Sequence, residues 1–545
     1  MKRKCIFSIV LCVGMFAGIL SGCDGIGGES TNDPDNLAVQ EIIAQADNRR
    51  QEILGSVTTI TKSDKHILGE SYTGTAYYIS NSGNDNNDGL SPDTAFATPD
   101  ALKKVSLSYG DAVFFERGGL WRTAKIPYNA VETAGITYSA YGDGDKPKLY
   151  ASCENGSGAE KWSLVSEDKT GKKVWIYYRD MTEVGAMVCN NEILIHRDIA
   201  WWDGSNYYAM NERKPSQDLY DATTMLPDLY CFPALNYTTV FDQARDTGDR
   251  LFWSWDEQLG ELVYAMGKLY LRSDAGNPGE LYDSIEFIQP YPLVDGCAPN
   301  TVFDNLSVCF STIGLAVYGE GVIQNCEVGW SGGEVQGYIT PHDSGDVRTT
   351  LNYESYGRCG GCSGCGGSNN IIRNNYIHHS YQEGTGMETL IGEPSMTGNV
   401  IQGNLIENCV QAILVCNWDM EVDPEHIFRD CLVEENIVLH TGEENMLNYD
   451  WEVKESSNSF ALQGGPCGNE NFIVRNNVFA FAKGALVCID TFSEEHSRIF
   501  SGNTYVQAKG GTGIRLANSD RYLPLTQKNV QEYLGDDSAT IISLD

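Results

Sequence analysis

Short runs of β-branched and aromatic residues, broken every few positions by Gly, Asn or Asp, dominate the chain from Tyr77 to about residue 515. Runs of this kind predict strands. Two stretches keep helical spacing instead. In the first, Val39, Ile42, Ile43, Ala46, Ile53 and Leu54 fall at helical intervals, with Asn36 placed to cap the start and Gly55 to stop it, which predicts a helix over 36–55. The second, "LTQKNVQEYL" at 525–534, predicts one closing helix. Strands do not alternate with long helices, which argues against a doubly wound sheet.

The strand runs repeat a phrase. Aligned on their asparagine they read "IRNNYI" with Asn375, "IQGNLI" with Asn404, "VEENIV" with Asn436, "VRNNVF" with Asn477 and "FSGNTY" with Asn503, at intervals of 29, 32, 41 and 26 residues. A fixed phrase at variable intervals implies one supersecondary unit per repeat, with loops of different length inserted on it. Strand, Asn at the bend and second strand, stacked turn upon turn, would set these asparagines in a ladder, each amide bonding the next coil. "VFDNLSV" and "IQNCEV" read as earlier coils with the Asn displaced by one place.

This pattern resembles the right-handed parallel β-helix proteins of the pectin-lyase-like superfamily. The phrases "YYISNSGNDNNDGLSPDTAFAT" (77–98), "GDAVFFERGGLWR" (110–122) and "GITYSAYGDGDKPKL" (135–149) look like the opening turns of extracellular β-helix proteins, many of which act on glycans. The resemblance covers about 77–150 and 290–515. It implies an all-β fold, a right-handed parallel β-helix (solenoid) with a β-rich insertion and short capping helices. The expected organisation is a signal over 1–23, tether and helix over 24–72, N-terminal turns over 73–150, insertion over 151–290, main helix over 291–515 and cap over 516–545. Within the insertion, Trp162, Trp175, Trp201, Trp202, Tyr207, Tyr208, Trp253 and Trp255 either wall a sugar-binding groove or simply pack a core.

The N-terminus bears on location. Lys2, Arg3 and Lys4 form a positive region, Cys5 to Leu20 an apolar run short for a membrane span, and Leu20-Ser21-Gly22-Cys23 closes it. This resembles a bacterial lipoprotein signal with its lipobox, which implies cleavage before Cys23, lipidation of Cys23 and anchoring at the bacterial cell surface. A secreted protein or a short transmembrane anchor is the alternative.

Charge and cysteine content narrow the chemistry. A formal charge of −36 over 545 residues repels nucleic acid, and also polyanionic glycans unless a local basic groove overrides it, so neutral polysaccharides fit better. Cys309, Cys326, Cys409, Cys416, Cys431 and Cys488 sit inside apolar runs and read as reduced core residues. Cys359, Cys362 and Cys365 in "RCGGCSGCGG" offer two overlapping C-x-x-C steps to a metal, yet no fourth ligand follows at diagnostic spacing. Asp85 and Asp88 offer carboxylates to calcium, although an Asn/Asp/Gly cluster more often only forms turns.

The candidate catalytic groups are acids. Glu388 lies 13 residues after Asn375, Asp419 15 after Asn404, Asp450 14 after Asn436 and Asp490 13 after Asn477, which predicts a carboxylate at one corner of four successive coils. Strands ~4.8 Å apart put such acids ~5 or ~10 Å from one another, distances that bracket the about 5–5.5 Å of a retaining glycosidase pair and the about 6.5–9.5 Å of an inverting one. Crowded carboxylates also keep one member protonated to serve as general acid. Trp418 and Trp451 adjoin the column as sugar platforms, Asp450 and Asp490 form the best-placed pair, and Glu383 is a further substrate-binding candidate. A solvated acidic edge or a calcium ladder is the competing account.

Other motifs carry less. "GWSGG" at 329–333 matches G-x-S-x-G but lacks a following helix. Of His378 and His379, one can reach a cleft, since neighbours in a strand point to opposite faces. A polysaccharide lyase needs a basic groove, and over 301–515 the lysines are Lys454, Lys483 and Lys509. A glycoside hydrolase acting on a neutral glycan is therefore the leading reading, with a uronate lyase and a non-catalytic glycan-binding surface protein as alternatives.

Overall fold

The computed structural model describes residues 34–544, except 58–59, 124, 128–129, 131, 168–172, 180, 182–183, 185, 197–199, 203–206, 210–268, 274, 290–297, 312, 333–361, 366, 381–382, 390–394, 418–426, 443–456, 464–467, 490–499 and 520. Three long sheets dominate it, two of ten strands and one of eight. The chain visits them in rotation. One circuit runs through Ile371–Arg373 in the first sheet, Tyr376–Ser380 in the second and Glu383–Thr389 in the third, and the next through Val400–Gln402, Leu405–Glu407 and Gln411–Asn417. Each strand pairs in parallel with its counterpart one circuit on, Ile371 with Val400, Tyr376 with Leu405 and Thr385 with Ile413.

Alternation explains why these segments become strands. Ile372, Ile377 and Ile413 turn inward, where they join Phe460, Phe479 and Tyr505 in one continuous core. Between the first and second strand of each circuit the backbone bends sharply, and the bend residue has positive φ: Asn305, Asn325, Asn374, Gly403, Glu435, Asn476 and Gly502. Glycine and asparagine tolerate that conformation best, which is why the phrase carries them there.

The next residue builds the ladder. Asn375, Asn404, Asn436, Asn477 and Asn503 are buried, and the main-chain N–H of each of the first four donates to the Oδ1 of the following asparagine, as from Asn375 to Asn404 at 2.9 Å and from Asn436 to Asn477 at 3.0 Å. Each Nδ2 also bonds backward to a main-chain carbonyl, that of Asn436 reaching Ile401 O at 3.0 Å. The buried bend thus has its polar groups paired. In the two earlier circuits Leu306 and Cys326 hold the ladder position while Asn305 and Asn325 hold the positive-φ bend, the one-place displacement visible in the phrase.

The first helix covers the second sheet. It runs over Pro34–Gly55, so Asn36 lies within its first turn instead of capping it; a proline with fixed φ suits the opening position better. Ile42, Ala46 and Ile53 pack on Tyr376, Leu405 and Ile437. Arg50 adds a two-pronged bond to Glu407 at 2.6 and 2.7 Å. At the other end a short helical segment over 527–534 starts at Thr526, whose Oγ1 accepts from Asn529 N, and stops at Gly535 with φ of 69°. Among the described residues no helix is long and apolar enough to cross a membrane.

Between the early and later circuits the strands are antiparallel. Trp162–Glu167 and Tyr270–Arg272 flank Lys173–Tyr177, and Ile193–His196 and Ile285–Ile288 flank Ala186–Cys189. Trp162, Tyr177 and Phe287 fill a core there, with Trp162 Nε1 donating to Gly156 O, so Trp162 is a packing residue. The side chains of Trp201, Trp202, Tyr207 and Tyr208, and all of Trp253 and Trp255, lie outside the description. Cys309, Cys326, Cys409, Cys416, Cys431 and Cys488 are buried free thiols.

Candidate active site

The outward face of the third sheet carries the one predicted acid of the column that the structure describes. Along Glu383–Thr389 the side chains alternate: Thr385 and Met387 are buried against the core, while Gly386 and Glu388 face outward, Glu388 half-buried. Gly386 is needed where it stands, because a Cβ would come within 2.5 Å of Leu414 O on the neighbouring strand. In register, Glu388 stands level with Cys416 and then Gln463. Leu414, Cys416, Ala461 and Cys488 form a buried apolar patch beside it.

The register corrects the constant offset from each asparagine. In the circuit of Asn436 the third-sheet strand is Asn458–Gln463, so Gln463, and not Asp450, is level with Glu388; the chain between 443 and 456 is inserted before that strand. Ile489 stands level with Leu462, Val415 and Met387, and Asp490 is the next residue of the chain. Trp418 and Asp419 follow directly on Asn417, which pairs with Thr389. Asp419, Asp450, Asp490, Trp418 and Trp451, like Cys23, lie outside the described residues.

Glu383 is placed differently. It is 3% exposed, shares the side of Thr385 and Met387, and stands level with Gln411 and then Asn458, so it belongs to a buried polar row at the inner corner and not to the face of Glu388.

The other motifs resolve into structure. Ser331 of "GWSGG" sits on strand Glu327–Ser331, buried and level with Ser380. Asp85 accepts from the Ala97 and Thr98 main chain and from Thr98 Oγ1, and Asp88 from Leu90 N and Thr94 Oγ1, so both hold the loop together. Burial raises Asp85, but these bonds and Lys104 outweigh it and hold its carboxyl below the usual range. Cys359 lies outside the described residues, as do the side chains of Cys362 and Cys365.

A second cluster, on the outer face of the second sheet, escaped the sequence. Cys309, Glu327 and His378 present their donor atoms within 4.8 Å of one another. They sit on three successive circuits: Cys309 pairs with Gly329, which pairs with His378. Gly329 has no side chain to obstruct the imidazole, whose Nε2 lies 2.2 Å from where a Cβ would be. His379 also turns to this side, its φ of 50° breaking strand alternation, so that its Nδ1 meets His378 Nδ1 at 2.9 Å and its ring stacks on Trp330. The expected opposition of the two histidines is therefore absent. Burial, with His378 and Arg50 nearby, pushes His379 well below its usual range. No motif spacing announces the cluster, because only stacking of circuits brings it together.

No protein-family model matches the chain, and no curated protein does. Among solved structures it is similar to one named "Glycoside hydrolase", at 10% identity over 86% of this chain and 96% of that one, with a TM-score of 0.43. It is also similar to XylC in complex with xylose, at 13% identity over 81% and 70%, TM-score 0.38. A third is the GH136 lacto-N-biosidase from Eubacterium ramulus, at 12% identity over 87% and 67%, TM-score 0.35. At this distance the chemistry has to be argued from the chain's own residues.

Proposed function

We propose that the three-sheet coil is a right-handed parallel β-helix and that the protein is a glycoside hydrolase, held at a bacterial surface by lipidated Cys23 and acting on a neutral polysaccharide or glycan. The observation that carries this reading is the position of Glu388. It faces outward near the end of a strand whose neighbour, in register at Thr389 and Asn417, runs on into Trp418 and Asp419. Glu388 together with an acid and a tryptophan that follow the paired strand in sequence would supply an acid, a base or nucleophile, and a platform for a pyranose ring. Asp450 and Asp490 remain the second candidate pair: in sequence Asp450 precedes strand Asn458–Gln463 and Asp490 follows the adjacent strand Ala485–Ile489.

One acid of such a pair, protonated because its neighbour is charged, gives its proton to the leaving oxygen. The other attacks the anomeric carbon or activates water. The net charge of −36 favours an uncharged glycan. The test is the chain lacking residues 1–23, incubated with neutral and uronate-containing glycans. New reducing ends without unsaturated products support the hydrolase; unsaturated products indicate a lyase; binding without cleavage indicates a glycan-binding surface protein.

A further inference from the structure

We infer that Cys309, Glu327 and His378 form a binding site for one zinc-like divalent cation, a site separate from the Glu388 face. Three observations converge on it. The donors are one sulfur, one carboxylate oxygen and one imidazole nitrogen, all within 4.8 Å of one another. This is the mixed set that zinc accepts with three protein ligands and a fourth position for water.

The second observation is the unpaired donor. His378 is 6% exposed, and its Nε2 has no hydrogen-bond partner, the nearest carboxylate oxygen, Glu327 Oε1, lying 3.6 Å away. A buried imidazole nitrogen is costly to leave unmade, and a cation between the two groups would satisfy both. Zinc bonds of about 2.0–2.3 Å require donors somewhat closer than 4.8 Å, a contraction that side-chain rotation supplies.

The third is the surrounding support, of the kind metal ligands have. Ser307 Oγ donates to Glu327 Oε2 at 2.6 Å, fixing that carboxylate with its other oxygen toward His378. His378 Nδ1 meets His379 Nδ1 at 2.9 Å, and His379 Nε2 lies 3.3 Å from Asn408 Nδ2. Turning that amide so that its oxygen accepts from His379 Nε2–H lets His379 Nδ1 accept from His378 Nδ1–H. His378 Nε2 then holds a lone pair aimed at the cluster, an arrangement that depends on tautomer and amide orientation. A thiol binds zinc as thiolate, so Cys309 gives up its proton when the cation enters.

Such a site would tie three circuits together, beside Val188 and Ile288 of the antiparallel strands. The full chain, stripped with a chelator, is titrated with cobalt(II) and then zinc(II). One equivalent of cobalt should produce thiolate-to-cobalt charge-transfer absorption that zinc abolishes, with release of protons and a rise in thermal midpoint. Cys309→Ser and His378→Gln should remove the absorption. Glu327→Gln keeps the shape of a half-buried residue, and as a folded variant it should weaken binding at least tenfold. A chain with Cys359, Cys362 and Cys365 all changed to Ser should bind as before. No cobalt equivalent in the unaltered chain overturns the site; so does unchanged binding in folded Glu327→Gln and His378→Gln, or loss of binding only in the triple variant.

Discussion

Asn503 ends the asparagine ladder on Asp536: its main-chain N–H and its Nδ2 both donate to Asp536 Oδ2, at 3.1 and 3.0 Å. Gly502 N donates to the other oxygen at 2.8 Å, and Tyr505 Oη lies 3.4 Å from the first. The closing segment after Gly535 therefore supplies the acceptor that a further asparagine would have supplied. Asp536→Ala strands these buried donors and should cost about 3 kcal/mol, since each orphan costs roughly 1–3 kcal/mol and some recover water. Asp536→Asn, which keeps one side-chain oxygen, should cost roughly half as much. Urea midpoints of the two variants check the order, and equal losses would show that packing, not acceptance, is what Asp536 provides.

A pH effect follows from Lys146. It is 3% exposed, and among the described residues its Nζ bonds neutral oxygens, Ser56 Oγ at 2.9 Å and Asn305 Oδ1 at 3.1 Å, with Arg117 donating to the same Asn305 oxygen. Burial first, and Arg117 after it, lower its pKa from 10.5 to about 8, against the opposing pull of Cys326, Asp304 and Glu327. Between those values the unfolded chain holds a proton the folded chain lacks. Stability should rise with pH across that window, by roughly 3 kcal/mol in total, and Lys146 should add no slope below about 8. Lys146→Met should flatten the window, measured as denaturant midpoints from about pH 7 to about pH 10. An unchanged slope would assign the titration to another group.

What the sequence made legible was local and repeated. Asn375 to Asn503 stood out because the ladder needs one residue type at one bend, and Asn305 and Asn325 stood out as displaced because the bend itself also favours asparagine. A shorter ladder was missed: Gly321 N donates to Asn370 Oδ1 and Asn370 N to Asn399 Oδ1. Its signal was present, an asparagine five places before Asn375 and again before Asn404. Register across long insertions was not legible. Nothing in the chain says that 443–456 enters before the third-sheet strand, so a constant offset from Asn436 points to Asp450 where Gln463 stands. Cys309, Glu327 and His378 are distant in sequence, and only the pairing of circuits makes them neighbours.

The anchoring proposal has a direct check. Cys23→Ala removes the sulfur to which the lipid of a lipobox cysteine is attached, so in the native host the protein should move from the membrane fraction to the soluble fraction. Unchanged fractionation would mean that the lipobox resemblance misleads.

The catalytic acids can be separated from a merely acidic edge by replacing each with its amide. Glu388→Gln, Asp419→Asn, Asp450→Asn and Asp490→Asn nearly preserve size and shape while removing the titrating group. Loss of a general acid or base should lower turnover by at least ~10²-fold with the fold intact. If the working pair is Glu388 with Asp419, those two variants collapse activity and the other two do not; if it is Asp450 with Asp490, the pattern reverses. Four folded variants with full activity on a cleaved glycan would place the reaction elsewhere on the chain.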